Sequence, residues 1–129
     1  MKLKRSLSKR EKEIMDILWN SSEPLTASEI IAKNSDLKMP TVQAVMKKLL
    51  KEEIVEVSSI VYSRNVLSRS YKPMISADEY VSSQYCNLTK NLSVTNLFVS
   101  LLGSTQPTIE EIEEMQKILD KYKDKFEEK

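Results

Sequence analysis

The chain has no histidine, one cysteine (Cys86) and one glycine (Gly103) among its 129 residues. Each shortage closes off a class of chemistry. Without histidine, the commonest general base and the commonest metal ligand are missing. A single cysteine excludes an intrachain disulfide and any Cys-pair metal or redox motif, which leaves Cys86 as a small buried hydrophobe or a partly exposed thiol. One glycine cannot build a phosphate-cradling loop that needs several. No run of about 18 apolar residues is present to span a bilayer, and Met1-Lys2-Leu3-Lys4-Arg5 lacks the apolar stretch of a signal peptide. A hydrolase built on Asp and Glu would need paired carboxylates in a cleft, and no spacing suggests one. The expectation is a cytoplasmic protein with no membrane insertion, no cofactor, no metal and no enzymatic activity.

What is present is a composition of 40% apolar and 30% charged residues with a net charge of +1. That charge is unevenly spread: residues 1–75 hold 14 Lys/Arg against 9 Asp/Glu, and residues 76–129 hold 6 against 10. A basic half suits a polyanion and an acidic half does not. The split predicts two domains, 1–75 and 76–129, with different roles.

Four sequences of the capping-box type punctuate the chain. In each, a hydroxyl can accept from the amide three residues on while a glutamate reaches back. Ser8-Lys9-Arg10-Glu11 opens a helix that buries Ile14, Ile17 and Leu18, with Met15 and Trp19 widening the stripe. Asn20 to Pro24 ends it with turn formers. Thr26-Ala27-Ser28-Glu29 opens a short helix with Ile30 and Ile31 inward. After a polar link, Pro40 suits the first turn of a third helix, where its missing N–H costs nothing. Two short capped helices joined this way read as a helix-turn-helix. The following β-branched and aromatic runs, Ile54 to Val57, Ile60 to Tyr62 and Val66 to Tyr71, predict a hairpin turning at Ser63-Arg64-Asn65. Three helices and a hairpin make a winged helix.

The third helix sorts onto two faces. At ~100° per residue, Val42, Val45, Met46, Leu49 and Leu50 form an apolar stripe. Thr41, Gln43, Ala44, Lys47, Lys48 and Lys51 occupy the opposite arc, which holds no acid. Such a face is either plain solvated surface or a DNA-reading surface, and the basic half around it favours DNA. Gln43 can pair bidentately with adenine, and Ala44 or Thr41 can touch a thymine methyl. Lys47, Lys48, Lys51 and Arg64 would neutralise phosphate. Thr26 and Ser28 at the second helix, with Asn65 and Arg69 on the wing, complete the candidate DNA-binding set.

Ser76-Ala77-Asp78-Glu79 and Thr108-Ile109-Glu110-Glu111 are the third and fourth boxes. They open helices carrying Tyr80, Val81, Tyr85 and Leu88, and then Ile112, Met115, Leu119, Tyr122 and Phe126, with Ile109 and Ile118 on the flanks. Between them Val94, Leu97, Phe98, Leu101 and Leu102 are helically spaced before Gly103, a C-terminal stop. About 50 residues have little core of their own. A second copy would cover the seam; the alternative is that the last helix folds back onto the winged helix.

The N-terminal residues resemble the penicillinase-repressor family, the BlaI/MecI/CopY-type bacterial transcriptional repressors. The likeness runs through Leu7-Ser8-Lys9-Arg10-Glu11, Glu13 to Trp19, Leu25 to Ile30 and Pro40 to Leu49, roughly the first half of the chain. The acidic half matches in layout more than in motif. The resemblance implies a mainly α homodimer. Its N-terminal winged helix-turn-helix domains would read an inverted-repeat operator in double-stranded DNA, and its C-terminal helical dimerisation region would use Leu97, Phe98, Leu101, Ile109, Ile112, Met115, Leu119, Tyr122 and Phe126. It implies repression of antibiotic-resistance or related stress genes, often beside a membrane sensor protease. The alternative function is a winged-helix protein-interaction module without sequence-specific DNA binding.

Four departures bear on these expectations. Glu53 stands where the family usually places glycine after the reading helix, so that helix is expected to end differently. The wing is longer than the family norm and has no glycine. The antibiotic-responsive branch is cleaved at an Asn-Phe bond in the dimerisation half; Asn96-Leu97-Phe98 resembles that site with Leu97 interposed, and reads either as a cleavage site or as core. The copper-responsive branch carries a C-terminal cysteine pair, and Cys86 alone cannot supply one.

Overall fold

Helix starts are where local chemistry acts most directly, and all four capping boxes form. In the computed structural model, which describes residues 5–63, 66–88 and 93–127, α1 (Lys9–Trp19) begins at Ser8 and α2 (Ala27–Lys33) at Thr26, each with its reciprocal pair of hydrogen bonds. Ser76 with Glu79 and Thr108 with Glu111 repeat the pattern at α4 (Ala77–Leu88) and α6 (Ile109–Glu127). The third helix, α3 (Met39–Lys51), lacks a side-chain cap and instead carries Pro40 in its first turn. Strands β1 (Leu25–Thr26), β2 (Val55–Ser63) and β3 (Val66–Pro73) form an antiparallel sheet in the order β1-β3-β2. Arg64 and Asn65 lie outside the described residues, as do the side chains of Cys86 and Leu88.

The core is the meeting of the apolar stripes. Ile14, Met15 and Leu18 of α1, Ile30 of α2 and Val42, Met46 and Leu49 of α3 pack with Leu25, Leu37, Ile54, Val55, Ile75 and Tyr80. Fully burying one such side chain is worth ~1.5–3 kcal/mol. The two-residue strand β1, which patterning alone could not show, pairs Leu25 with Tyr71 and Thr26 with Ser70. It thereby moors the base of the wing to the helices.

One polar cluster lies against this core. Glu11 keeps only 2% of its surface exposed. Its two carboxylate oxygens accept from the Arg5 guanidinium, both at 2.8 Å, and one also accepts the Ser8 amide. Arg5 reaches on to Glu52, just beyond α3, at 2.6 and 2.8 Å. Gln84 of α4 donates its side-chain amide to the Arg5 carbonyl, and the Leu7 amide donates to the Tyr80 hydroxyl. The segment before α1 is thus held by α1, α3 and α4 together. Hydrogen bonds from Arg5, then from Ser8, hold the Glu11 carboxyl down at about 2, and Arg5 lowers Glu52 as well.

The chain divides into two compact units, Met1–Thr89 and Lys90–Lys129. Helix α4 lies within the first of these units. Tyr80 is buried in the first unit's core, with its ring centroid 5.7 Å from that of Trp19, and the Trp19 indole N–H donates to the Ile75 carbonyl. The second unit contains α5 (Val94–Thr105) and α6.

Two helix endings differ from expectation. Glu53 adopts the left-handed conformation (φ 61°) that glycine would take most easily. The Ile54 amide donates to the Leu49 carbonyl at 2.9 Å and the Glu53 amide to that of Leu50 at 3.1 Å. This is the Schellman pattern, so α3 ends as a glycine-terminated helix would. Burial of Ile54 against Leu49 offsets the strain. Gly103, expected to stop α5, lies inside it. The helix runs to Thr105 and ends at Gln106 in the left-handed region (φ 48°).

Replacing Glu53 by glycine relieves a left-handed side chain, and Glu53→Gly should raise the unfolding free energy by ~0.5–1 kcal/mol, read as an increased urea midpoint at unchanged m. The Glu11 carboxyl falls from 4.5 to about 2 on folding. Its contribution to stability is complete above pH 4.5 and disappears as the pH drops towards 2. An acid titration of stability followed by circular dichroism should slope downwards across that window, and Glu11→Gln should flatten it; an unaltered slope would refute the assignment.

Candidate nucleic-acid interface

The exposed arc of α3 is the face expected from its sequence. Thr41, Gln43, Ala44, Lys47, Lys48 and Lys51 all face solvent, while Val42, Met46 and Leu49 are buried and Val45 and Leu50 half-buried. The first turn holds no acid, so the positive end of the helix is not neutralised locally. Lys48 and Lys51 sit in the last turn, where cations also favour the helix dipole.

The candidate residues do not all stand alike. Ser28, Gln43 and Arg69 line one cleft of about 400 Å³, together with Ala27, Met39 and Tyr71 and the outer β3 residues Val66, Leu67 and Ser68. The start of α2, the first half of α3 and the wing therefore converge on Gln43. Thr26 is different: it is buried, and its hydroxyl accepts the Glu29 amide. Its side chain caps α2. Lys48 has a partner within the chain, its ammonium lying 3.7 Å from a Glu11 oxygen, whereas Lys47 and Lys51 project from the same face into solvent.

Sequence reasoning missed the Arg5 clamp, whose partners are up to 47 residues apart. A second omission is the hydroxyl pairing of Ser59 with Ser70, 2.8 Å apart, at the bulge between Val57 and Ser59. No local pattern around Ser59 or Ser70 points to that pair, which register across the two strands brings together.

In the second unit, no residue of α5 or α6 is buried. Leu97, Phe98, Leu101, Ile109, Ile112, Leu119, Tyr122 and Phe126 are exposed and Met115 is half-buried. Phe98, Leu102, Ile112, Met115 and Leu119 line a mainly apolar groove of about 350 Å³. Asn96-Leu97-Phe98 lies at the start of α5, where the Asn96 amide donates to the Ser93 hydroxyl. Cleavage there would require unwinding of the helix end. Among the described residues no group of three or more His, Cys, Asp or Glu could hold a metal ion, and no helix is long and apolar enough to cross a membrane.

Three solved structures are similar at low identity. MarR of Staphylococcus aureus in complex with salicylate and kanamycin is 14% identical, with 96% of this chain and 75% of that chain covered and a TM-score of 0.42. A MepR mutant from a multidrug-resistant S. aureus clinical isolate is 15% identical over 88% and 74%, at 0.39. GAS PerR in its Zn-Zn form is 23% identical over 54% of this chain, at 0.41, and the match spans 45% of that protein. No curated protein matches the chain. The model of one family, described as penicillinase repressor, matches residues 7–121, which takes in the winged helix, α4, α5 and most of α6. The chain belongs to the penicillinase repressor family.

Proposed function

We propose that this chain is a homodimeric transcriptional repressor that lays α3 in the major groove of each half of an inverted-repeat operator. The observation that carries the reading is the convergence on Gln43: an acid-free helix face whose one amide projects into a cleft shared with Ser28 and Arg69. An amide at that place can pair with an adenine edge, which is recognition by base. Lys47 and Lys51 would sit over phosphates and supply affinity that does not depend on sequence. Lys48 would first have to exchange Glu11 for phosphate.

Dimerisation belongs to the same proposal. Helices α5 and α6 expose Leu97, Phe98, Leu101, Ile112, Leu119 and Tyr122, and a contiguous exposed apolar surface marks an interaction site that a second copy would cover. Two-fold symmetry then sets the half-sites about one helical turn apart, ~34 Å. Repression follows where such a site overlaps a promoter, and the family's description points to antibiotic-resistance or related stress genes. This reading places the protein in the cytoplasm. Control by a sensor protease is not included, because the Asn96-Leu97-Phe98 segment is helical.

Selection of bound duplexes from a random pool at two salt concentrations should return an inverted repeat. Absence of enrichment would leave a basic winged helix used for protein contacts. On the recovered site, Gln43→Ala should lose ~1–3 kcal/mol at one base position and bind all other changes in parallel with the wild type. Lys47→Ala should instead weaken every sequence equally and lower the salt slope by about one.

A further inference from the structure

The outer wing has an apolar face that no core explains. Register pairs Tyr62 with Leu67 and Ile60 with Arg69. Partners across an antiparallel sheet share a face, and alternate residues along a strand return to it. Ile60, Tyr62, Leu67 and Arg69 therefore lie on one face with Tyr71, and Leu67, Arg69 and Tyr71 line the cleft beside Gln43. Tyr62 is 78% exposed, Ile60 63% and Leu67 62%. Pairing with β1 ends at Ser70, and no residue further out on the wing joins the hydrophobic core. A solvated strand face is ordinarily polar; this one is apolar over three large side chains.

Its charge surroundings identify what would cover it. The only acid on the described strands of the wing, Glu56, is on the opposite face and is paired with Lys72 at 3.1 Å. The apolar face carries Arg69 and continues into the cleft next to the lysine-bearing arc of α3. A second copy presenting the same surface would bring like charges together, and three side chains fall far short of the ~1,200 Å² of a stable protein interface. A polyanion with apolar edges meets both conditions. We infer that the wing is a wedge for duplex DNA: Tyr62 and Leu67 enter the groove beside the one read by α3 and pack on a partly unstacked base step, while Arg69 contacts the adjacent phosphate. Proteins that insert leucine or isoleucine between base steps kink the duplex there, so the wing would read deformability flanking the half-site, independently of Gln43.

This inference rests on the proposed function, and its test separates the two. The probes are a duplex carrying the selected repeat and a random duplex of equal length, each with 2-aminopurine at the steps flanking the half-sites. Wild type, Tyr62→Ser with Leu67→Ser, and Arg69→Ala are compared; because the replaced residues are exposed, thermal melting should show all three folded. The double variant should bind the repeat roughly tenfold more weakly, a factor comparable with burying one large apolar side chain. Its salt slope should be unchanged, and it should lose the fluorescence rise that accompanies base unstacking. Arg69→Ala should lower the salt slope by about one. Equal affinity and equal fluorescence for the double variant would overturn the wedge. A changed sedimentation profile with DNA affinity intact would also overturn it, by assigning the face to contact between copies. If wild type fails to distinguish the repeat from the random duplex, the operator-binding reading fails by itself; equal binding of the random duplex by the double variant would then overturn the wedge as well.

Discussion

Glu11 is a charge in a place that does not favour charge, and much of the first unit is arranged around satisfying it. A carboxylate removed from water costs several kcal/mol unless donors surround it. Here they come from the Arg5 guanidinium and the Ser8 amide, with the Lys48 ammonium farther off. The cluster spans α1 and the end of α3, and through the Arg5 carbonyl it touches α4. Hydrophobic packing alone would tolerate small rotations of α3 about its stripe. A bidentate pair at one end of the helix is more demanding of angle, and so selects one orientation of the exposed face. Apolar burial supplies most of the stability, and the clamp specifies the register.

The parts legible in sequence were those that act over three or four residues. Each capping box places a donor and an acceptor within one helical turn, so Ser8, Thr26, Ser76 and Thr108 marked helix starts without knowledge of the rest. The stripe of α3 was equally local, since Val42, Met46 and Leu49 must share a face at that spacing. What could not be read depends on distant partners. Leu25 and Thr26 become a strand only because Tyr71 and Ser70 arrive beside them. Tyr80 joins the first core although the charge of its neighbourhood resembles that of the second half. The endings of α3 and α5 show the limit of residue preference: Glu53 and Gln106 take the left-handed positions, while the one glycine sits in helix, where a Cβ added to it would meet nothing within 4 Å.

The candidate site was legible to a similar degree. Helical spacing was enough to separate Gln43 and the lysines from the core. It could not show that Thr26 turns inward, because its role as a cap and its place in β1 coincide, nor that Ser28 and Arg69 meet beside Gln43. The outer wing was read correctly as a hairpin, yet the importance of its apolar face emerges only from register, which decides that Tyr62 and Leu67 stand together.

Thr26 belongs to two elements at once. Its hydroxyl starts α2, and its backbone lies in the sheet opposite Ser70, whose own hydroxyl is bonded to Ser59 at the bulge from which the outer wing departs. A rotation of α2 about its start would therefore also disturb the pairing of β1 with β3. The helix-turn-helix and the wing are thus linked through one residue, which couples the spacing between them to the start of α2. On the proposed reading, a duplex whose grooves do not match that spacing would be the partner that deforms.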